Sequence, residues 1–580
     1  LGVNSEGKIR LPPGQSIGRS VNRHSPICFE DVKGIDVFGT LTGYTAMRLG
    51  KSKLEESPFL SYAEKLTGVS PIGENGHPLY GAPPFSHGFN VETGEYQAPY
   101  NHFVKKCGVV KNSLHPKILR KSIQVISDHL ISGLQSKGVT ELKPVPLAVA
   151  INGDPEDFYS RPVRPSTSGG WAWPGKKSKH MRDCCLPFKE DAKEFTQDVN
   201  EQVLEQLLAY ERGEDALPLL GAQLKDEPRS YTKIKDRKTR VFCMSPVEST
   251  LVNKMFLSPF YTKMVEYDDL FCAAIGINMH SSDVTDLVNK MTTFSDKFME
   301  GDYGGYDTSM PYDIGLAANT IVHDVLQHFG YTDRELEYVR GILSDNLYPT
   351  IVMRGDVFAA PALQPSGKYA TAEDNSLRGL ILLVYAFIEE CTAYGSTFSE
   401  RTRTTDFQPE DFFKTVRPVV YGDDMVAGVK PALQDHFNNI TYQKFCSEVY
   451  GLDFTNAQKT MEMNKFLNWD ETSFLKRSFV YREDLGEWVA PIELASIMKS
   501  ICYYLPSRSV NSRDQLIDSC VSAARELFFH LRSDEYDQRR WEFAEVIAEI
   551  YELQSTDVVK KFPTFEEIRT QCFGERFTLL

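Results

Sequence analysis

Three carboxylates carry the clearest chemical signal in the chain. Asp302 lies in GDYGGYDTSM, and the adjacent pair Asp423 and Asp424 lies in YGDD. An acidic residue at a strand end and an Asp pair at a hairpin tip offer the all-oxygen donor set that Mg²⁺ prefers. Such a set leaves coordination positions open for substrate phosphates. Taken alone, GDD is as readily an Asp-rich turn, because short motifs recur by chance. Between the carboxylates lies PSGKYATAEDNSLRG, where Ser366 and Gly367 make a flexible loop and Thr371 and Asn375 lead into an apolar helix from about Leu377. A loop of this kind can yield to a moving backbone while its polar residues face a sugar. Read alone, it is a Ser/Gly turn capping a helix.

Upstream, LKDEPRSYTKIKDRKTRVF carries Lys225, Arg229, Lys233, Lys235, Arg237, Lys238 and Arg240 against Asp226, Glu227 and Asp236. Several of the cations lie two apart, so a strand-like segment would place them on one face. Cations so arranged neutralise a triphosphate and its leaving pyrophosphate. A second basic patch, PGKKSKHMR, has Lys176, Lys177 and Lys179 just after Trp171 and Trp173. These patches are local: 64 Lys and Arg stand against 79 Asp and Glu, a net charge of −15. That balance excludes a wholly basic nucleic-acid coat, and any nucleic-acid path must be a channel built from such patches.

The elements that position these groups follow from pattern. At about 150 residues per domain, a chain of 580 residues allows roughly four domains or subdomains of one large enzyme. Residues 68–101 are rich in Pro and Gly and read as irregular, draped over something else. Pro116 opens a helix whose Leu119, Ile123, Ile126, Leu130 and Leu134 share a face, and Phe195, Val199, Val203, Leu207 and Tyr210 mark another. VRPVV-YGDD-MVAGV predicts a β-hairpin with its acids at the tip. Near the C-terminus, one helical stripe runs from Leu516 to Leu531, and a second comprises Trp541, Ala544, Ile547, Ala548 and Tyr551; both read as core. The charge-free apolar run Gly379–Ile388 is far short of the ~18 residues a membrane span needs, so no transmembrane helix is expected. The 11 cysteines include no C-x-x-C pair, which argues against a zinc or disulfide framework and for buried thiols in a reducing compartment. The start LGVNSEGKIR has neither Met nor an apolar signal core, as in a processed polyprotein fragment or a trimmed chain.

With these pieces in order, residues 164–482 resemble the RNA-dependent RNA polymerases of picornaviruses and their relatives. STSGG (166–170) is similar to that family's motif G, the run from Lys225 to Arg240 to motif F, GDYGGYD to motif A, PSGKYATAEDN to motif B, YGDD to motif C, TNAQKT to motif D and FLKRSF to motif E. The resemblance implies an α+β fold, a closed right hand with an antiparallel palm sheet and a helical thumb. Its parts would be an N-terminal region (1–110) bridging fingers and thumb, fingers (111–255), a palm with an inserted fingers segment (256–480), and the thumb (481–580). It implies that Asp302, Asp423 and Asp424 hold two Mg²⁺ ions, with Mn²⁺ able to substitute, and that Lys459 protonates the leaving pyrophosphate. Asp307, Thr371 and Asn375 would check the ribose beside the Ser366-Gly367 loop. Arg240 with Lys225, Arg229, Lys233 and Lys238 would hold the triphosphate, Thr167 and Ser168 would guide the template, and Lys476 and Arg477 would steady the primer end.

The implied partners are RNA template and primer, nucleoside triphosphates and a small viral protein primer, at replication complexes in the host cytoplasm, with membrane association only through other replication proteins. Leu1 ahead of Gly2 departs from relatives that begin with a buried glycine, and 394–410 reads as an inserted surface loop; together they point to viruses of insects or marine protists. A reverse transcriptase shares the palm and its carboxylates and is the alternative enzyme. An RNA-binding structural protein without catalysis has no use for the three carboxylates.

Overall fold

The computed structural model describes residues 17–18, 34–41, 50–90, 93–108, 112–394, 406–457 and 459–574. The chain start and most of the 394–410 stretch lie outside the described residues. Four antiparallel strands carry the acidic motifs: β1 (Phe298–Tyr303), β2 (Val416–Tyr421), β3 (Asp424–Val429) and β4 (Phe454–Thr455), in the order β2-β3-β1-β4. The predicted hairpin is present. Its register runs from Val416 opposite Val429 to Tyr421 opposite Asp424, which leaves Gly422 and Asp423 as a two-residue loop. Gly422 has φ +64°, a left-handed turn conformation that glycine adopts without strain. Pro418 sits on β2 at the sheet edge, where a missing N–H breaks no inner ladder.

Helices α1 (Pro116–Ser136), α2 (Tyr312–His328) and α3 (Thr371–Cys391) pack on one another, and α3 packs on β2. Ile126, Leu130, Ile321, Val325, Leu383 and Phe387 belong to the largest apolar core, all fully buried. Helix α3 is enclosed on every side from Asp374 to Cys391, which is why its apolar run shows no polar face. It begins at Thr371, earlier than the apolar pattern suggests. Ala370, at φ +56°, turns the chain into a first helical turn that carries Glu373 and Asp374, so the apolar signal starts after the helix does. Likewise Phe195 ends a strand, Lys189–Phe195, and the helix follows as Gln197–Glu211.

A separate six-stranded sheet has the order Ile17–Gly18, Asp36–Leu41, Asp356–Ala359, Thr350–Met353, Leu219–Leu224, Val241–Met244. The basic run connects its last two strands. It is not the continuous strand expected from its alternation. Arg229–Ser230 is extended, Tyr231–Lys235 is a short helix, and Arg237 takes φ +49°. Pro228 withholds a ladder donor just before, and Ser230 starts the helix, so the cations are gathered by a folded loop instead of a strand face.

The C-terminal helices, from Leu494 on, form a second core. Helices α4 (Leu494–Cys502), α5 (Ser512–Leu527) and α6 (Ser533–Tyr551) bury Ile497, Ile501, Leu516, Cys520, Phe543 and Ile547 together with Phe59, Ala63 and Leu66 from near the N-terminus. Trp541, expected in the stripe of α6, is 42% exposed; Phe543 and Val546 take the buried face. The segment 50–81 touches two distant regions. Glu55–Glu56 pairs with Tyr503–Tyr504, while Tyr80–Gly81 pairs with Arg229–Ser230 and the Lys53 N–H donates to Asp226 at 2.7 Å. Among the described residues, no helix is long and apolar enough to cross a membrane.

Candidate active site

The register of β1 against β3 places Gly301 opposite Met425, and its next step sets Asp302 beside Asp424, with Asp423 on the adjoining loop. This crowding raises the cost of ionising Asp423 and Asp424. Burial and the charge of Asp302 push Asp423 above the usual carboxylate range, and burial with the charges of Asp423, Asp302 and Glu300 pushes Asp424 up to about 7. Lys459 answers part of this charge: its ammonium lies 2.7 Å from Asp302 Oδ2, delivered by a backbone at φ +62°. Among the described residues, no three Asp, Glu, His or Cys side chains stand as a finished metal cluster. The donor set nonetheless suits Mg²⁺ or Mn²⁺, being entirely carboxylate oxygen and carrying repulsion that a cation would relieve.

Beside the carboxylates, Asn375 donates to Asp307 Oδ1 at 2.9 Å, and its own side-chain oxygen Oδ1, unlike its backbone carbonyl, is buried without a hydrogen-bond partner among the described residues. Burial raises Asp307. The pair is held from behind. Tyr306 donates to the Asn375 carbonyl at 2.8 Å, and Asp374 accepts from Gln364 at 2.6 Å and pairs with Lys368 and Arg378, each at 3.1 Å. The Gly422 N–H donates to Ser376 Oγ at 2.9 Å, tying helix α3 to the acidic loop. Ser366 and Gly367 are exposed, and Gly367 lies against the strand Val241–Met244. A Cβ on Gly367 would sit 2.2 Å from the Cys243 carbonyl oxygen, so glycine is required by a backbone that cannot swing aside. Thr371 does not face the Asp307–Asn375 pair with a free donor; its hydroxyl donates back to the carbonyls of Lys368 (2.8 Å) and Pro365 (3.2 Å).

The basic loop approaches the same place. Lys225, Arg240 and Arg229 surround Glu227 at 3.0, 3.5 and 3.7 Å. Burial lowers Lys233, and the charges of Arg229, Lys459, Arg240 and Lys106 lower it further, a sign of how densely cations are gathered. The field of Arg240 reaches both Asp423 and Asp307. Lys238 is turned to Asp236 at 2.7 Å.

The remaining candidates divide. The hydroxyl of Thr167 and the carbonyl of Ser168 both accept from Lys177 Nζ, at 2.9 and 2.6 Å, so this lysine of the second basic patch braces the loop from inside. Lys476 is exposed at a hairpin turn, φ +60°, and its charge is felt by Asp424. Arg477 departs from the expected contact with a primer. Its guanidinium is buried, bonding the Ala490 carbonyl at 2.7 Å, both oxygens of Glu526 at 2.9 and 3.0 Å, and His280 at 3.1 Å. Lys476 stands in the exposed turn of the hairpin, whereas Arg477 begins its second strand opposite Phe474 and faces inward.

Three contributors escape the sequence reading. Lys106 approaches the Gly304-Gly305 turn, its Nζ lying 3.8 Å from where a Cβ on Gly305 would stand. Lys499 of α4 feels the charges of Lys476, Glu227 and Arg240. Glu300, two before Asp302 and so on its strand face, accepts from the N–H and hydroxyl of Ser473, each at 2.8 Å. Only Glu300 had a local signal.

Residues 158–548, more than half of the chain, match the viral RNA-dependent RNA polymerase family. The chain belongs to that family. The polymerase is 25% identical over 459 residues to the replicase polyprotein of Acute bee paralysis virus (strain Rothamsted), covering 78% of this chain and 23% of that one. It is 27% identical over 408 residues to the RNA1 polyprotein of Andean potato mottle virus, covering 68% and 53% respectively. It thus spans only part of these relatives. Among solved structures, a sicinivirus 3Dpol RNA dependent RNA polymerase superposes with a TM-score of 0.70 over 93% of this chain and 98% of that one, at 15% identity. That likeness is one of fold: the right-hand arrangement, with β1–β4 as its palm sheet.

Proposed function

We propose that the polymerase copies a positive-strand viral RNA genome by two-metal nucleotidyl transfer, with the 3′-hydroxyl of the growing strand attacking the α-phosphate of a nucleoside triphosphate. The observation that carries this is the convergence of Asp302, Asp423 and Asp424 at one end of the palm sheet, facing a loop crowded with cations. Divalent cations, when bound by Asp302, Asp423 and Asp424, supply a lowered hydroxyl pKa and charge neutralisation at the phosphate. Arg240, Lys225, Arg229 and Lys233 hold the triphosphate, Lys238 contributes from the loop's outer side, and Lys459 donates a proton to the departing pyrophosphate. Asp307 and Asn375 bond the ribose 2′-hydroxyl, Thr371 holds the Ser366-Gly367 loop in shape, Thr167 and Ser168 border the template, and Lys476 approaches the primer. RNA template and primer, nucleoside triphosphates and a protein primer are the partners, at replication complexes in the host cytoplasm.

Extension of a primed RNA by the purified chain with Mg²⁺ tests the reading. Asp423→Ala and Asp302→Ala are each expected to abolish extension with the fold intact, and full activity in Asp423→Ala would overturn the mechanism. A reverse transcriptase excludes the 2′-hydroxyl with a bulky side chain, whereas the five-residue step from Asp302 here brings Asp307. Single-nucleotide incorporation should therefore favour ATP over dATP strongly. Asn375→Ala should slow ATP addition roughly tenfold, the scale of one unpaired polar group; equal use of ATP and dATP by the wild type would favour the reverse transcriptase.

A further inference from the structure

We propose that Glu227 is an internal stand-in for the triphosphate, a specificity-determining residue that sets how tightly the basic loop takes polyphosphate. This rests on reading the loop as the triphosphate site. One carboxylate collects cations from both sides of the loop: Lys225 Nζ at 3.0 Å on Oε2, and Arg240 Nη1 at 3.5 Å and Arg229 Nη1 at 3.7 Å on Oε1. These are the groups a polyphosphate would take. The contacts to the two arginines are long and neither is bidentate, so the carboxylate neutralises them without the geometry that makes such pairs strong. Arg240 and Lys225 remain 64% and 49% exposed, open to an incoming anion.

The loop does not depend on Glu227 for its shape. The Lys225 N–H donates to the Arg240 carbonyl at 2.8 Å, Arg229 donates to the Lys238 carbonyl at 3.0 Å, and Arg229–Ser230 is paired with Tyr80–Gly81. Glu227 is thus placed to hold the cations together between nucleotides and to be displaced when a triphosphate arrives. The same competition helps expel pyrophosphate after each addition, because the carboxylate reclaims the cations as the product leaves. Lys499 of α4 senses both Glu227 and Arg240, so the exchange would also be felt in the thumb.

Equilibrium binding of inorganic tripolyphosphate to the full chain without metal tests this, using wild type, Glu227→Gln, Glu227→Asp and Arg240→Gln. Glu227→Gln should bind about threefold to tenfold more tightly, the range for releasing two or three partly exposed pairs, and Glu227→Asp should stay near wild type. In steady-state extension, Glu227→Gln should lower the nucleotide KM and lower kcat through slower pyrophosphate release. Unchanged or weaker tripolyphosphate binding in Glu227→Gln, with binding weakened in Arg240→Gln, would overturn the role of Glu227 and leave the triphosphate site standing. Unchanged binding in Arg240→Gln would overturn both. Loss of a cooperative thermal melt in Glu227→Gln would show a structural brace and would also overturn the proposal.

Discussion

Lys459 meets Asp302 at 2.7 Å, so the side chain proposed as proton donor also neutralises a carboxylate proposed to hold metal. Lys459→Leu is therefore expected to move two observables in opposite directions. Single-turnover addition should slow by about 10²–10⁴-fold, the usual contribution of a positioned acid, while Mn²⁺ binding measured by electron paramagnetic resonance should tighten. Equal metal binding in the two proteins would show that the ion pair does not compete. Arg477 carries a second expectation, opposite to its role in the sequence reading. Burial raises the cost of charging Glu526, yet bonds from His280 and Arg477 hold it down at about 2. A carboxylate held below its unfolded value stabilises the fold above that value, and the benefit is lost as pH falls from about 4.5 to about 2. Arg477→Met should cost about 3 kcal/mol at neutral pH and flatten the acid limb of the melting curve, with template affinity unchanged; weaker RNA binding at full stability would restore the primer role. The convergence of Asp302, Asp423 and Asp424 was legible because a strand end and a hairpin tip are announced by local pattern. The inward turn of Arg477 was not, because its partner Glu526 lies far along the chain and no local pattern announces it.

At the scale of elements, glycines show how tightly the palm is built. A Cβ on Gly301 of β1 would stand 2.2 Å from the ring of Phe454, which is fully buried on β4. Gly301→Ala is expected to destabilise by about 1–3 kcal/mol through overpacking, and Phe454→Leu in the same chain should recover part of the loss. Additive losses in the double variant, read by denaturant unfolding, would show that the two residues do not share that space. The β2–β3 hairpin and the helix opened by Pro116 were legible because their periodicity is local and their faces differ in polarity. The basic loop was misread as a strand because spacing by two also arises when a proline and a short helix gather cations, and nothing in the spacing separates the cases. Helix α3 hid its first turn for the complementary reason: that turn carries the acids Glu373 and Asp374, and Asp374 is buried against Gln364, Lys368 and Arg378, polar partners that no apolar periodicity reveals.

The molecule as a whole is joined by the segment 50–81, which links the basic loop to the C-terminal helices. Phe59→Ala should empty a fully buried site at a cost of about 3–5 kcal/mol. Hydrogen exchange should then quicken in α4–α6 and in the Arg229–Ser230 ladder together; quickening confined to 50–81 would show that the segment decorates two units without coupling them. Composition disclosed only an irregular, draped stretch, and the bridge came from the resemblance, since a Pro- and Gly-rich stretch carries no periodicity and its partners are remote. The same remoteness bears on how the protein is made. Ser57 gives its hydroxyl to the carbonyl of Ile501, 444 residues later, and Arg539 reaches the Leu66 carbonyl across 473. At about 5–20 residues per second, a ribosome releases Phe59, Ala63 and Leu66 roughly 20–90 s before the helices that will cover them. For that interval these apolar side chains face solvent or a chaperone, so the helices α4–α6 are also what first conceals the segment 50–81.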